Sequence, residues 1–545
     1  MSSLASELSQ RIQSVVGVDP ELRPATKPQF GHFQCNVALR LAKVEGVPPR
    51  QVAQRIVDEL DLADLCEPLE IAGPGFINIR LTESALAGSV TGLLADPNNG
   101  LEPAAVSQRV VIDYSSPNVA KQMHVGHLRS TIIGDCFHRV LAALGHTVIP
   151  QNHIGDWGTQ FGKLVELIDD EGLDAAQLSL ADADDLYIRS SRLFDSDAEF
   201  AARARQRVVA LQTGDPHTRR VWTDLMKIST AAFNDAYSRL GVLLTDDDLA
   251  GESTYNDDLP KVASELQASE IAVIDDGALC VFVDGFNAPL IIRKRDGAYN
   301  YDTTDLAAVR RRVREIKGDR LIYVTDVRQG DHFEQIFRAA RMAGFLPDEV
   351  RAEHVGYGMV LGQDGRPFKT RKGTAATLTS LLDTAEEVAA RPIALAAIKY
   401  ADMSNGLNKD YVFSLDRMVA TTGDTGPYLQ YAHARVCQVL RKAEAEGIAP
   451  SDKVLELPES AEQTLALLLS RFGETVNEVA ETLQPHRLCT YLYDLAGALS
   501  IFYEQCPVLK SDGVLRESRL ALCEATKRVL AAGLDLLGIE APDRM

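Results

Sequence analysis

A chain of 545 residues exceeds what one compact core usually fills, since cores stop growing near ~250–300 residues, so two or three domains are expected. Its 46% hydrophobic and 24% charged residues are ordinary for a globular protein, no apolar run approaches the ~18 residues of a membrane span, and the N-terminus lacks a basic stretch followed by an apolar block. Together these argue against a membrane or secreted protein and predict cytoplasmic residence, while a formal net charge of -21 argues against indiscriminate polyanion binding and suits a cationic ligand.

Residues 1 to about 105 open on helical periodicity (Leu4, Leu8, Ile12, Val15, Val16) and continue to a β-like stretch, Ile71 to Leu81. Alternation at Phe76, Asn78 and Arg80 predicts a half-exposed strand there. The turn-formers of DPNNGLEPAAVSQ, from Asp96 to Gln108, then read as a linker. RVVIDYSS begins a second module as a buried strand followed by a turn. Leu128, Ile132, Cys136, Val140 and Leu144 recur every four residues, predicting an amphipathic helix that Gly145 ends. HTVIPQNHI supplies the next strand, completing the strand–helix–strand unit of a parallel doubly wound sheet, whose ligand site lies at the carboxyl ends of the strands. LIYVTDV, a helix around Glu334 to Ala343 and a strand near His354 to Val360 extend the alternation. This α/β domain is expected over 106–378, with a charged helical insertion at about 165–240. Beyond it strand signals fade. Leu465, Leu468, Leu469, Phe472, Val476 and Val479 form one helical stripe and Leu492, Leu495, Leu499 and Phe502 another, predicting an all-α bundle over 379–545. The eight cysteines are dispersed and never form CxxC, so reduced core residues and no zinc site are expected.

The most informative stretch is DYSSPNVAKQMHVGHLRS. His124 and His127 fall at the mouth of the first strand-to-helix turn, where free backbone N–H groups of a helix N-terminus face any anion, and Gly126 lets a flat base or phosphate approach the backbone. His124 to His127 resembles the HIGH signature of class I aminoacyl-tRNA synthetases. The flanks SPNVAK and LRSTIIGD look like the arginyl branch of that family, as do GDWGTQFG, GDTGPYLQYAHAR and the terminal GIEAPDRM. The plain alternative, two histidines that merely cap a helix, leaves so many ordered motifs unexplained.

The resemblance covers nearly the whole chain and implies a multidomain protein. An α+β N-terminal domain would meet the tRNA D-loop, a Rossmann-like parallel-sheet domain would catalyse, and the helical bundle would bind the anticodon. It implies that ATP, carried with Mg2+, and L-arginine form an adenylate before transfer to the 3′ end of tRNA(Arg). His124, Gly126 and His127 would hold the nucleotide phosphates. Lys369, Arg371 and Lys372 of GRPFKTRKG stand where the family has its KMSK loop, although the motif departs from KMSK, and Lys121 matches the lysine thought to compensate. A guanidinium is planar, permanently charged and best held by carboxylates. Tyr301 and Asp305, four apart, match the family's guanidinium-binding pair. Glu252 resembles a second acidic contact, and Asn118 and Gln329 match positions that hold the α-amino and carboxylate ends. Phe76 with Asn78, and Tyr428 and Tyr503, fall where the family contacts tRNA by stacking on splayed bases. A monomer is the family default. Surface charge for the lysines and core packing for the aromatics are the plain alternatives. The rival functions are another class I synthetase such as the cysteinyl type, a catalytically idle tRNA-binding relative, and a general nucleotidyltransferase.

Overall fold

The computed structural model describes residues 3–25, 27–368, 376–449 and 451–545, and its contacts divide the chain into two compact units. One unit spans Pro103–Val419 with Leu483–Pro485; the other joins Met1–Glu102 to Ala420–Thr482 and His486–Met545. The contact boundary at 419 thus lies beyond 378, and a buried ion pair gives the reason. Arg129, on the helix Val125–Ala143, donates from Nε to Asp402 at 2.5 Å and from Nη1 to the Gly358 carbonyl at 2.8 Å. Arg129 and Asp402 are wholly buried, so the helix Arg391–Met403 is tied to the sheet domain.

Four parallel strands form the centre of that unit, in the order Arg351–Tyr357, Arg320–Asp326, Arg109–Asp113, Thr147–Gln151. The chain order reverses between Arg109–Asp113 and Arg320–Asp326, and a cleft outside the carboxyl ends is the usual consequence of such a reversal. Val110, Val111, Ile112, Leu321, Ile322 and Val324 are buried on both faces, so these strands read as apolar runs. The predicted helix runs Val125–Ala143 with Leu128, Ile132, Cys136 and Val140 buried, and Gly145, at φ 81°, turns the chain out of it. The insertion comprises four helices, Thr159–Asp170, Leu180–Ser196, Ala198–Thr213 and Pro216–Leu240. A three-stranded antiparallel sheet, Ala272–Asp275, Ala278–Val281 and Leu290–Arg293, follows it; no sequence expectation covered these strands.

In the other unit an antiparallel sheet is ordered Leu22–Pro24, Phe33–Cys35, Phe76–Ile79, Glu70–Ala72. The helix Glu83–Ala95 packs on helices Ser460–Leu469 and Gly513–Leu536. Arg528 completes the join by donating to the Leu94 carbonyl at 2.6 Å and to Asn99 Oδ1 at 2.8 Å. The C-terminal part is helical, as its stripes predict. All eight cysteines are buried, and none forms a disulfide. Among the described residues no helix is long and apolar enough to cross a membrane.

Candidate functional site

The site grows from the turn after Arg109–Asp113. Ser115, Ser116 and Ala120 hold positive φ of 70°, 48° and 59°, conformations that L-residues adopt at a cost of roughly 1–3 kcal/mol each. Polar contacts from three directions hold them there. Ser115 N–H donates to Ser130 Oγ at 2.9 Å, Ser116 N–H to Asn152 Oδ1 at 3.0 Å, and Ala120 N–H to Ser229 Oγ at 2.9 Å. Such strain, overdetermined by its surroundings, delivers His124 to the start of the helix.

The two histidines brace each other. The His124 backbone N–H donates to His127 Nδ1, and the Gly126 N–H donates to His124 Nδ1, both at 3.0 Å. A nitrogen that accepts carries no proton, so each neutral ring keeps its hydrogen on Nε2 and offers a donor. Desolvation and then the Lys121 charge hold His124 below the usual imidazole value, although its edge meets solvent. Burial, with His124 and Lys121 adding to it, pushes His127 down to about 3. Both rings are therefore neutral donors at physiological pH. A Cβ on residue 126 would lie 2.7 Å from His124 Cε1, so only glycine lets the pair keep this arrangement. Lys121 sits with Nζ 3.9 Å over the Tyr187 ring of the insertion. Thr377 pairs with His124, and the Val125 N–H donates to the Ala376 carbonyl at 3.2 Å. Lys369, Arg371 and Lys372 lie outside the described residues.

Beside the turn, Asn118 and Glu252 line one cavity of about 90 Å³, with Trp157, Gln160 and Tyr187. Burial, then the negative charges of Asp156 and Asp305, raise the Glu252 carboxyl to about 8. Asp156 is held by Ser253, whose N–H and Oγ donate at 2.9 and 2.6 Å. Asp305 lies on the helix Tyr301–Arg314, one turn past Tyr301, and its Oδ2 is 2.7 Å from His332 Nε2. The His332 ring stands 5.3 Å from that of Tyr301, which is 61% exposed. Burial draws His332 down, but Asp305 and then Asp302 outweigh it and raise it above the ordinary imidazole value. Gln329, exposed, precedes the helix Gly330–Met342 that carries His332. The result is a cluster of carboxylates, Glu252, Asp156 and Asp305, whose chemistry suits a positive ligand.

The N-terminal strand departs from expectation. Asn78 is 7% exposed, not half-exposed, and its Oδ1 accepts from Gln34 Nε2 at 2.9 Å across the sheet. Ile77, Asn78 and Ile79 are all buried, so both faces of the strand are covered and alternation fails; the amide is occupied, and Phe76 is half-buried. In the C-terminal helices Tyr428 is half-buried with its ring 5.7 Å from Tyr493. Tyr503 is 41% exposed, with the Arg435 guanidinium 3.9 Å over its ring. Sequence reasoning missed His332, Asp156 and Tyr187. Their partners lie 27 or more residues away, and only the two GD dipeptides, Gly155–Asp156 and Gly330–Asp331, hinted at turns there.

Comparison with known proteins places the whole chain in one family. Residues 89–394 match the class I (R) tRNA synthetase catalytic domain, 429–545 the DALR anticodon binding domain, and 2–81 the arginyl tRNA synthetase N terminal domain. The chain is 66% identical to an arginine–tRNA ligase of Cutibacterium acnes and 47% identical to one of Thermobifida fusca, each aligned over 100% of both chains. Its fold matches the arginyl-tRNA synthetase of Plasmodium falciparum with TM-score 0.85 at 28% identity, covering 100% of both chains. That of Thermus thermophilus matches with TM-score 0.83 at 28%, covering 99% of this chain and 100% of the other. With its catalytic domain, both flanking domains and full-length relatives in agreement, the chain belongs to the arginyl-tRNA synthetase family.

Proposed function

We infer that the protein is an arginine–tRNA ligase. A carboxylate oxygen of L-arginine attacks the α-phosphorus of ATP, the bond to the β-phosphate oxygen breaks, and pyrophosphate leaves. The adenylate's carbonyl is then attacked by a hydroxyl of the tRNA 3′-terminal ribose, and AMP leaves. Magnesium enters with the nucleotide and offsets phosphate charge.

The observation that carries this reading is the pairing of neutral imidazole donors with an under-neutralised acid cluster around one strand-end turn. No side-chain nucleophile is needed. His124 and His127 donate from Nε2 to phosphate oxygens, and a single aimed donor of this kind is typically worth ~10²–10³ in rate. Lys121 adds charge. Thr377, paired with His124, supports a role at the phosphates for Lys369, Arg371 and Lys372, which lie within eight residues upstream of it. Glu252 and Asp305 take the guanidinium, Tyr301 packs on it, and Asn118 and Gln329 hold the α-amino and carboxylate ends. An ammonium leaves part of this acid cluster unpaired, which discriminates against lysine. Tyr428 and Tyr503 stack on anticodon-loop bases. The enzyme acts in the cytoplasm as a monomer. The test is amino-acid-dependent ATP–pyrophosphate exchange across all twenty amino acids with cognate tRNA: arginine alone is expected to support it, and exchange with another amino acid, or none, overturns the reading.

A further inference from the structure

Two helices of the insertion converge on Lys121. Ala120, at φ 59°, is held by the bond from its N–H to Ser229 Oγ, 2.9 Å away on the helix Pro216–Leu240, which sets the direction in which the chain enters Lys121. At the far end of the side chain, Lys121 Nζ stands 3.9 Å from the centre of the Tyr187 ring, on the helix Leu180–Ser196. Gln122 Nε2, next in the chain, reaches Asp184 Oδ2 of that same helix at 3.5 Å. The lysine is thus fixed both from its backbone and from its ammonium.

The sequence of the second helix explains the ring. Ala183, Leu186 and Ser190 form the buried stripe that seats it, and Tyr187, four residues after Ala183, lies half-buried at the edge of that stripe. Two turns further on, Phe194 takes Lys163 in the same way, with Nζ 4.4 Å from the ring centre. A ring attracts a cation through its quadrupole and adds no charge of its own. A carboxylate in that place would neutralise the ammonium and compete with phosphate for it, and among the described residues none pairs with Lys121. The ammonium has three N–H donors and the ring covers one side of it, so donors remain for a ligand. Its charge reaches the histidine turn, where it draws both His124 and His127 down. Tyr187 itself lines the cavity of about 90 Å³ with Asn118 and Glu252.

We propose that Tyr187 is a positioning residue for arginine activation: its ring face holds the Lys121 ammonium, without neutralising it, beside His124 and His127 where the phosphates of ATP arrive. This rests on the reading of Lys121 as a phosphate contact. The gain is one of order, because a lysine already held loses less rotamer freedom when the nucleotide binds.

The test is arginine- and tRNA-dependent pyrophosphate exchange by the full-length chain with ATP varied, each variant checked for folding by circular dichroism. Tyr187→Leu is expected to lower kcat/KM for ATP about tenfold and to leave KM for arginine within about twofold of the parent. Tyr187→Phe keeps the ring and the parental rate. Phe194→Leu, the matching change two turns along the same helix, causes no loss. In a Lys121→Met background, Tyr187→Leu adds less than about twofold. The proposal is overturned if Tyr187→Phe or Phe194→Leu costs as much as Tyr187→Leu, if the loss falls on KM for arginine, or if the full factor persists without Lys121. A costly Lys121→Met beside a harmless Tyr187→Leu removes this proposal alone; a harmless Lys121→Met removes the phosphate role of Lys121 with it.

Discussion

At the histidine turn the chain has removed charge and fixed its donors before any ligand arrives: Nδ1 of both rings is already bonded, and His127 is pushed down to about 3. At the guanidinium end it has done the reverse. Burial, and then the charges of Asp156 and Asp305, raise the Glu252 carboxyl to about 8, and His332 pairs with Asp305. The first region suits a ligand that every relative of the reaction shares, a phosphate chain, and needs little reorganisation. The second is electrostatically incomplete until a particular cation fills it. Selectivity is expected where the free protein is least satisfied, and rate where it is most satisfied.

Removing what supports the first region is expected to cost most. Asp402→Ala strands the buried Arg129 guanidinium under the histidine helix, and should lower folding stability by about 3–5 kcal/mol in denaturant titration. A change under 1 kcal/mol would mean the pair is not a structural anchor. Next, His127→Ala should lower the exchange rate at saturating arginine by ~10²–10³-fold while arginine affinity holds, measured by kinetics and calorimetry in parallel. Equal losses in both quantities would erase the distinction between the two ends.

The acid cluster gives a prediction of opposite sign. The folded-state value of Glu252, about 8, exceeds the ordinary 4.5, so its contribution to stability is complete below 4.5 and is lost as pH rises through about 8. Glu252→Gln should therefore stabilise the ligand-free protein at pH near ~9 by about 2 kcal/mol, with little change near pH ~4, while weakening arginine binding. In the parent protein arginine must bind the ionised carboxylate, so its affinity should fall by up to about tenfold per unit as pH drops below the Glu252 value. Thermal unfolding and calorimetry at several pH values check both; a stability loss in the variant at high pH would contradict the crowding. The smallest effect is expected outside the catalytic unit. Tyr503→Ala should raise KM for tRNA about tenfold, the worth of one stacked base, and leave arginine affinity unchanged.

The histidine end was legible because all its determinants are local. An apolar strand, a turn and a helix of period four fall within 35 residues, and HxGH sits at their junction. The acid end was legible only in part. Tyr301 and Asp305 share a helical turn, so their spacing pointed to them, but His332 reaches Asp305 from the next helix and Asp156 reaches Ser253 across the insertion. Asn78 misled because alternation identifies a strand covered on one face, whereas Ile77, Asn78 and Ile79 are all buried, so both faces of this strand are covered. The small sheet at Ala272–Arg293 escaped because three four-residue strands give too short a pattern.

The claim that the acid cluster reads the guanidinium is tested most directly by Asp305→Asn in arginine- and tRNA-dependent pyrophosphate exchange. Loss of one member of a largely desolvated charge pair predicts a fall of ~10³-fold in kcat/KM for arginine, about 4 kcal/mol, with KM for ATP within about twofold of the parent. An unchanged kcat/KM for arginine, or an equal loss in ATP binding, would contradict it.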